Sequence, residues 1–397
     1  MKKQALHIVY VIYGDLGQLV GNSIHAVEIT KALARQGHLV TLLIPKFGVP
    51  KEEISDKVRI ITIPTLFKGA LGSLIFGILA PIYLFSLSRN CPFDLVYTMQ
   101  MSFVITPLLY CLITKLPHVV EFHSIPINEL KLQRTNFIKN FFKQKIVQLT
   151  TRIYCSYSDL IVVVSKHIAQ FIFTTYRVPR ERVAIIPNGV DIHTYQIMDK
   201  FECRKELGIK INAKVIGYIG TLYSYHRMDR IVDIAISVLS KCIDAYFIIV
   251  GNGPYLPILK QLVEKANLSD KFLFIKTVPG PLCAKYINTF DVGICLHDPN
   301  YGGFPMKLLN YLACGKPVVA THSPGTDYIA EHHLGVLVNS EDPEEIAQAI
   351  LQAISLNSDE FAKRARDVIV RFYSWEAKAN ELVVHLQRVV SATNIKK

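Results

Sequence analysis

The residues best suited to chemistry lie in one run, Asn300 to Ala320 (NYGGFPMKLLNYLACGKPVVA). Gly302 and Gly303 read as a loop leading through Phe304. Pro305 suits a first helical position, with Met306 and Lys307 in the opening turn. Gly315 ends the helix, and PVVA starts the next strand. Open glycine amides, a helix N-terminus and a lysine at one point make an anion site, and the diphosphate of a sugar nucleotide suits it. The alternative is a capped helix with a solvated lysine. Gly14, Gly17 and Gly21, with Asn22 beside the last, form a second turn that can face a phosphate. Their spacing is not G-x-G-x-x-G, so a dinucleotide fingerprint is not supported, and glycines that only shape a turn would look the same. His123 closes the strand HVVEF, beside Ser124 and two residues after Glu121, at the sheet edge where ligands of open α/β folds bind.

Charge adds a partner. The chain has 397 residues and a formal charge of +12. Residues 1–195 hold 21 basic and 11 acidic side chains, so the excess lies in the first half. Between Leu130 and Ser158, six basic residues alternate with Phe137, Phe141 and Phe142 and meet no acid. This is a basic amphipathic element suited to anionic lipid, unless it is merely a solvated helix face. Nucleic acid is the rival ligand, but no nucleic-acid module accompanies it, so none is expected as partner. Gly69 to Ser88 runs 20 residues without a charge, enough to cross a bilayer; its Gly, Ser and Pro81 and its place between two strands favour a buried or interfacial helix.

These residues need a frame, and the sequence supplies one twice. ALHIVYVIY, the glycine loop, a helix over Ser23 to Gln36, Gly37 and HLVTLLIP make a βαβ unit, which implies a right-handed crossover and a parallel sheet. VRIITIP, FDLVYTM, HVVEFH, DLIVVVS and VAIIP continue it. An irregular polar stretch follows Asp191, and the pattern restarts with KVIGYIG near Lys214. The expectation is an α/β fold of two doubly wound domains facing across a cleft: 1–191, then 192–374, with a final helix in 375–397 packing back on the first. Half the residues are hydrophobic and 19% charged, which excludes disorder. The eight cysteines show no C-x-x-C and read as buried thiols of a reducing compartment. No signal peptide is evident.

DLIVVVSKHI leading to VAIIPNGVD, then VIGYIGTL, FIIVGNGPYLPILKQLVEKANLSDKFLFIKTVP and GGFPMKLLNYLACGKPVVAT together resemble a GT-B glycosyltransferase of the retaining family 4, over nearly the whole length. The resemblance implies transfer of a sugar from a nucleotide sugar, UDP- or GDP-linked, with retention, no cofactor and no metal. It matches His123 to the histidine near the donor sugar, Asn188 and Gly189 to the segment at the hinge, and Val278 to the backbone position at the nucleobase. Four positions depart from the family pattern: Thr221 where Arg is usual, His226 where Lys is usual, and Gly302 and Asn310 in place of two glutamates. PMKLLNY resembles the P-x-K-L-x-E-Y pattern of some members, except at Asn310. Asn310 can still hydrogen-bond a ribose hydroxyl, and Lys307 and Arg227 are expected to supply the positive charge for the leaving diphosphate.

The expected protein is a cytoplasmic transferase held peripherally on the inner face of the membrane, acting on a glycan or lipid-linked acceptor in cell-surface polysaccharide or glycolipid synthesis. The substitutions also suit a non-catalytic GT-B subunit that binds a nucleotide sugar or a partner enzyme. A sugar-nucleotide epimerase of the same fold is a third reading.

Overall fold

The computed structural model describes residues 5–18, 21–50, 54–65, 67–127, 137–223, 226–298 and 304–395. It divides into two units, Met1–Asn188 with Trp375–Lys397, and Gly189–Ser374.

The first unit is one parallel sheet of seven strands: β1 (His7–Val11), β2 (Leu39–Pro45), β3 (Val58–Ile63), β4 (Leu95–Met99), β5 (His118–Phe122), β6 (Leu160–Val163) and β7 (Val183–Ile185). Their order is β3-β2-β1-β4-β5-β6-β7. The helices between them are α1 (Gly21–Arg35), α2 (Ala70–Asn90), α3 (Thr106–Thr114), α4 (Phe137–Tyr157) and α5 (Lys166–Tyr176). Right-handed crossovers fix their sides. The chain moves one way along the sheet through α1 and the other way through α2, α3, α4 and α5, so α1 lies on one face and those four on the other.

Strand alternation sorts the side chains accordingly. Val9, Val11 and Val96 point toward α2 and pack with Phe76, Ala80 and Leu84 of that helix. Tyr10, Tyr97, Val119 and Glu121 occupy the opposite face by register, since Tyr10 pairs with Tyr97 and Tyr97 with Val119. That face is covered by α1 and by the helix begun at Trp375, which packs along α1.

α2 is, among the described residues, the one helix long and apolar enough to cross a membrane, with mean hydropathy 2.0 over 18 residues. It lies along the sheet instead. Phe76, Ala80 and Leu84 are fully buried, while Leu71, Leu74, Ile78, Ile82 and Phe85 form an exposed stripe on its outer side. α3 exposes Leu109, Leu112 and Ile113, and α4 exposes Phe141, Phe142, Ile146 and Leu149. None of these three helices contains an acidic residue.

The second unit repeats the design with six parallel strands, β8 (Lys214–Ile219), β9 (Ala245–Val250), β10 (Phe272–Ile275), β11 (Val292–Cys295), β12 (Val318–Thr321) and β13 (Gly335–Val338), in the order β10-β9-β8-β11-β12-β13. Its helices are α6 (Lys200–Glu206), α7 (Ile231–Lys241), α8 (Leu256–Lys265), α9 (Gly280–Asn288), α10 (Met306–Ala313), α11 (Asp327–Glu331), α12 (Pro343–Ser355) and α13 (Asp359–Tyr373), and α14 (Trp375–Ile395) returns to the first unit. The polar stretch before Lys214 belongs to this second unit for a definite reason. Arg204 of α6 is buried, pairs with Asp291 at 2.8 Å and donates to the carbonyls of Thr289 and Ala213. The break falls after Asn188, a little before the position the composition suggests.

Candidate active site

In each sheet the strand order reverses once, between β1 and β4 and between β8 and β11, and ligands of such folds sit beyond the strand ends near these points. Each unit carries one polar cluster there.

In the first unit the centre is Glu121, 1% exposed on β5. Tyr10 donates its hydroxyl to Oε2 at 2.7 Å. His25 Nε2 lies 2.8 Å from Oε1, and His123 Nε2 3.3 Å from Oε2. The two imidazoles meet edge to face at 4.3 Å between centroids, and Trp375 covers His25 at 5.2 Å. Burial alone would push the Glu121 carboxyl up, but the two imidazoles outweigh it and hold it well below the usual carboxylate range. Burial and then the Glu121 charge push the Tyr10 phenol well up. Burial, together with His25, pulls His123 down against the opposing pull of Glu121.

In the second unit the cluster gathers at the ends of β8 and β11. Gly220, at φ 131°, ends β8, and Lys307 of α10 crosses it so closely that a Cβ there would lie 3.1 Å from Nζ. Lys307 Nζ donates to the Tyr218 hydroxyl at 2.9 Å and sits 4.2 Å from the centre of its ring. Gly251, at φ 149°, ends β9; a Cβ on it would strike the Gly220 carbonyl, so the two loops close only without side chains. His226 is pulled down to about 2, by burial first and then by Lys307 and His297. Burial and two neighbouring basic side chains thus disfavour a charge at the position where the resemblance expects a lysine.

The remaining sequence candidates divide. Gly21 and Asn22 open α1 and are exposed. Asn188 is buried, with Oδ1 2.8 Å from His25 Nδ1, so its side chain braces the first cluster rather than facing a donor. Gly189 is buried at the start of the second unit. Thr221 is exposed and offers its carbonyl to Tyr218. Val278 lies half-buried between β10 and α9. Gly302 and Gly303 lie outside the described residues.

Phe304 turns its ring inward, stacked on Tyr328 and Tyr373 at 5.6 and 6.3 Å, so the ring packs in the core of the second unit and only the backbone is left to meet a donor. Pro305 is the N-cap of α10, and the helix opens at Met306. Asn310 is half-buried one turn on. Arg227 departs most from expectation. Its guanidinium is held by both carboxylate oxygens of Glu341 and lies near Asp229, so its charge is already offset. Lys307 is left as the cation that the second cluster supplies from the expected set.

The sequence reading assigned no role to His25, Tyr10, Tyr218 or His297. The available signal was a glutamate inside a fully buried five-residue strand, which demands partners on its own face.

Two family models match the chain. Residues 21–194 match Glycosyltransferase Family 4, and residues 199–368 match Glycosyl transferases group 1. The chain is a GT-B glycosyltransferase of family 4. An uncharacterized glycosyltransferase of Methanocaldococcus jannaschii is 22% identical over 373 residues, covering 91% of this enzyme and 93% of that one. Among solved structures, the sucrose-phosphate synthase of Thermosynechococcus elongatus superposes with a TM-score of 0.77 at 16% identity, over 98% of this glycosyltransferase and 100% of that chain. Anabaena HepE, in complex with UDP and glucose, gives 0.70 at 19% identity, over 96% and 100%. These likenesses establish two Rossmann-like domains.

Proposed function

We propose that this glycosyltransferase moves a sugar, with retention of anomeric configuration, from a nucleoside-diphosphate sugar to a lipid-linked or glycan acceptor at a membrane surface. The observation that carries the donor half is Lys307, a cation in the first turn of α10 beside Gly220, where helix amides and the lysine both favour a diphosphate. As the sugar leaves, negative charge grows on the β-phosphate, and a preplaced ammonium stabilises it without reorganisation. The resemblance gives His123 to the donor sugar, and binding of UDP by HepE favours a uridine donor. No resident metal or cofactor enters the reading.

The acceptor half rests on the outer face of α2, α3 and α4. Exposed aliphatic and aromatic side chains with no acid among them suit a lipid leaflet. Arg89, over the Phe85 ring at 4.3 Å, Lys145 and Arg152 supply charges for anionic headgroups. Such an enzyme works peripherally on the inner leaflet, in polysaccharide or glycolipid synthesis.

Calorimetric titration with UDP-, GDP- and ADP-sugars and their diphosphates tests the donor half. Saturable binding of one base is expected, and a folded enzyme that binds none refutes it. With the donor found, incubation with bacterial membrane lipids should give a labelled, solvent-extractable product with the donor's anomeric configuration. Inversion would refute retention.

A further inference from the structure

We propose that Glu121 is a positioning residue for His123: the buried carboxylate keeps the His123 proton on Nε2 and so leaves Nδ1 as the acceptor offered to substrate. The inference rests on the reading that His123 serves the donor sugar. Glu121 has no lysine or arginine against it among the described residues; its ion pairs are with His25 and His123. A carboxylate buried this deeply needs a compensating proton nearby. The groups that face it are Tyr10 from β1, Tyr97 from β4, His25 from α1 and His123 from the end of β5.

Of these, His25 stands between two acceptors: its Nε2 meets Oε1 of Glu121 and its Nδ1 meets Oδ1 of Asn188. His123 stands edge-on to the His25 ring within a buried site, and that burial disfavours a charge on it. A neutral His123 must choose one nitrogen for its proton. Nε2 lies 3.3 Å from a carboxylate oxygen that Tyr10 already makes an anion's acceptor, and a lone pair there would face negative charge. The proton therefore belongs on Nε2. His123 is the least enclosed of the three, which makes it the member of the cluster open to a substrate hydroxyl.

The test is nitrogen NMR of the full chain with labelled histidine, assigned by His123→Asn and His25→Gln, followed by kinetics of nucleoside-diphosphate release. Wild type is expected to show His123 neutral with its proton on Nε2 at pH 8. Glu121→Gln should mix the tautomers and lower kcat tenfold or more, with donor KM within twofold. Glu121→Asp, which keeps the charge, should restore the tautomer and most of kcat. A His123 proton on Nδ1 in wild type overturns the proposal even where Glu121→Gln fails to fold. So does a Glu121→Gln enzyme with kcat within twofold, or a stoichiometric metal ion on His25, Glu121 and His123 in the purified protein. An active His123→Asn variant would instead remove the reading of His123; an inactive one beside an unimpaired Glu121→Gln removes only the role given to Glu121.

Discussion

Replacing Leu74, Ile78 and Ile82 together with serine tests the membrane face. These side chains are 54%, 61% and 61% exposed, so about three-fifths of each remains to be taken out of water. At roughly 2 kcal/mol for burying a whole aliphatic side chain, each contributes about 1.2 kcal/mol on insertion and the three about 3.5 kcal/mol. At about 1.4 kcal/mol per factor of ten, the variant should bind vesicles about 300-fold more weakly, or about 20-fold more weakly if only half the area enters the leaflet. The fold should be largely spared, because all three side chains are more than half exposed and serine and isoleucine have similar helix propensities. Co-sedimentation with vesicles of mixed zwitterionic and anionic phospholipid measures the effect, with thermal unfolding as control. The apolar share should persist at high salt, where headgroup attraction is screened. Binding within threefold of wild type, with the melting temperature unchanged, would refute the reasoning.

Lys307→Ala should weaken binding of the free nucleoside diphosphate by roughly 10- to 100-fold, the range of a lost charge-assisted hydrogen bond, by calorimetry. Arg227→Ala should stay within about threefold in the same assay, because Glu341 already engages that guanidinium. His118 is held between Thr98 and Ser158, and burial pulls its imidazole down to about 3. Its neutral form is the folded form, so its contribution to stability is intact above pH 6.5 and is lost as the pH falls toward 3. His118→Gln should therefore flatten the acid limb of a denaturant-midpoint profile over that window. Phe304→Ala should lower stability by about 3 to 5 kcal/mol and leave diphosphate affinity nearly unchanged, since the ring packs on Tyr328 and Tyr373.

Much of the frame was legible because parallel strands buried on both faces read as short apolar runs, and β1, β5, β8 and β9 fall where those runs do. The helix over 69–88 was legible in extent but not in use. Composition shows twenty uncharged residues, whereas only packing against β1 and β4 separates the Phe76 side from the Ile78 side. The site was harder to read, because it depends on distant pairings. Arg227 and Glu341 are 114 residues apart, so nothing local reveals that the arginine is spent. Phe304 sits in a motif that suggests ligand contact, yet two tyrosines from α11 and α13 draw it inward. Glu121 was visible as a charge in an apolar strand, but its link to His25 and Asn188 requires three separate segments to meet.

The first unit is closed by a helix far along the chain. α14 covers α1, sets Trp375 on His25 and ties Arg35 to Glu376, yet residues 189–374, 186 in all, separate it from Asn188. On a ribosome adding about 5 to 20 residues per second, roughly 10 to 40 s pass between emergence of the first sheet and arrival of its last cover. During that interval the flank of α1 against which α14 packs stays open and the Glu121 cluster lacks Trp375, while α2 already presents its stripe. Completion of the Glu121 cluster therefore waits on Trp375, which is translated well after the sheet on which the cluster sits.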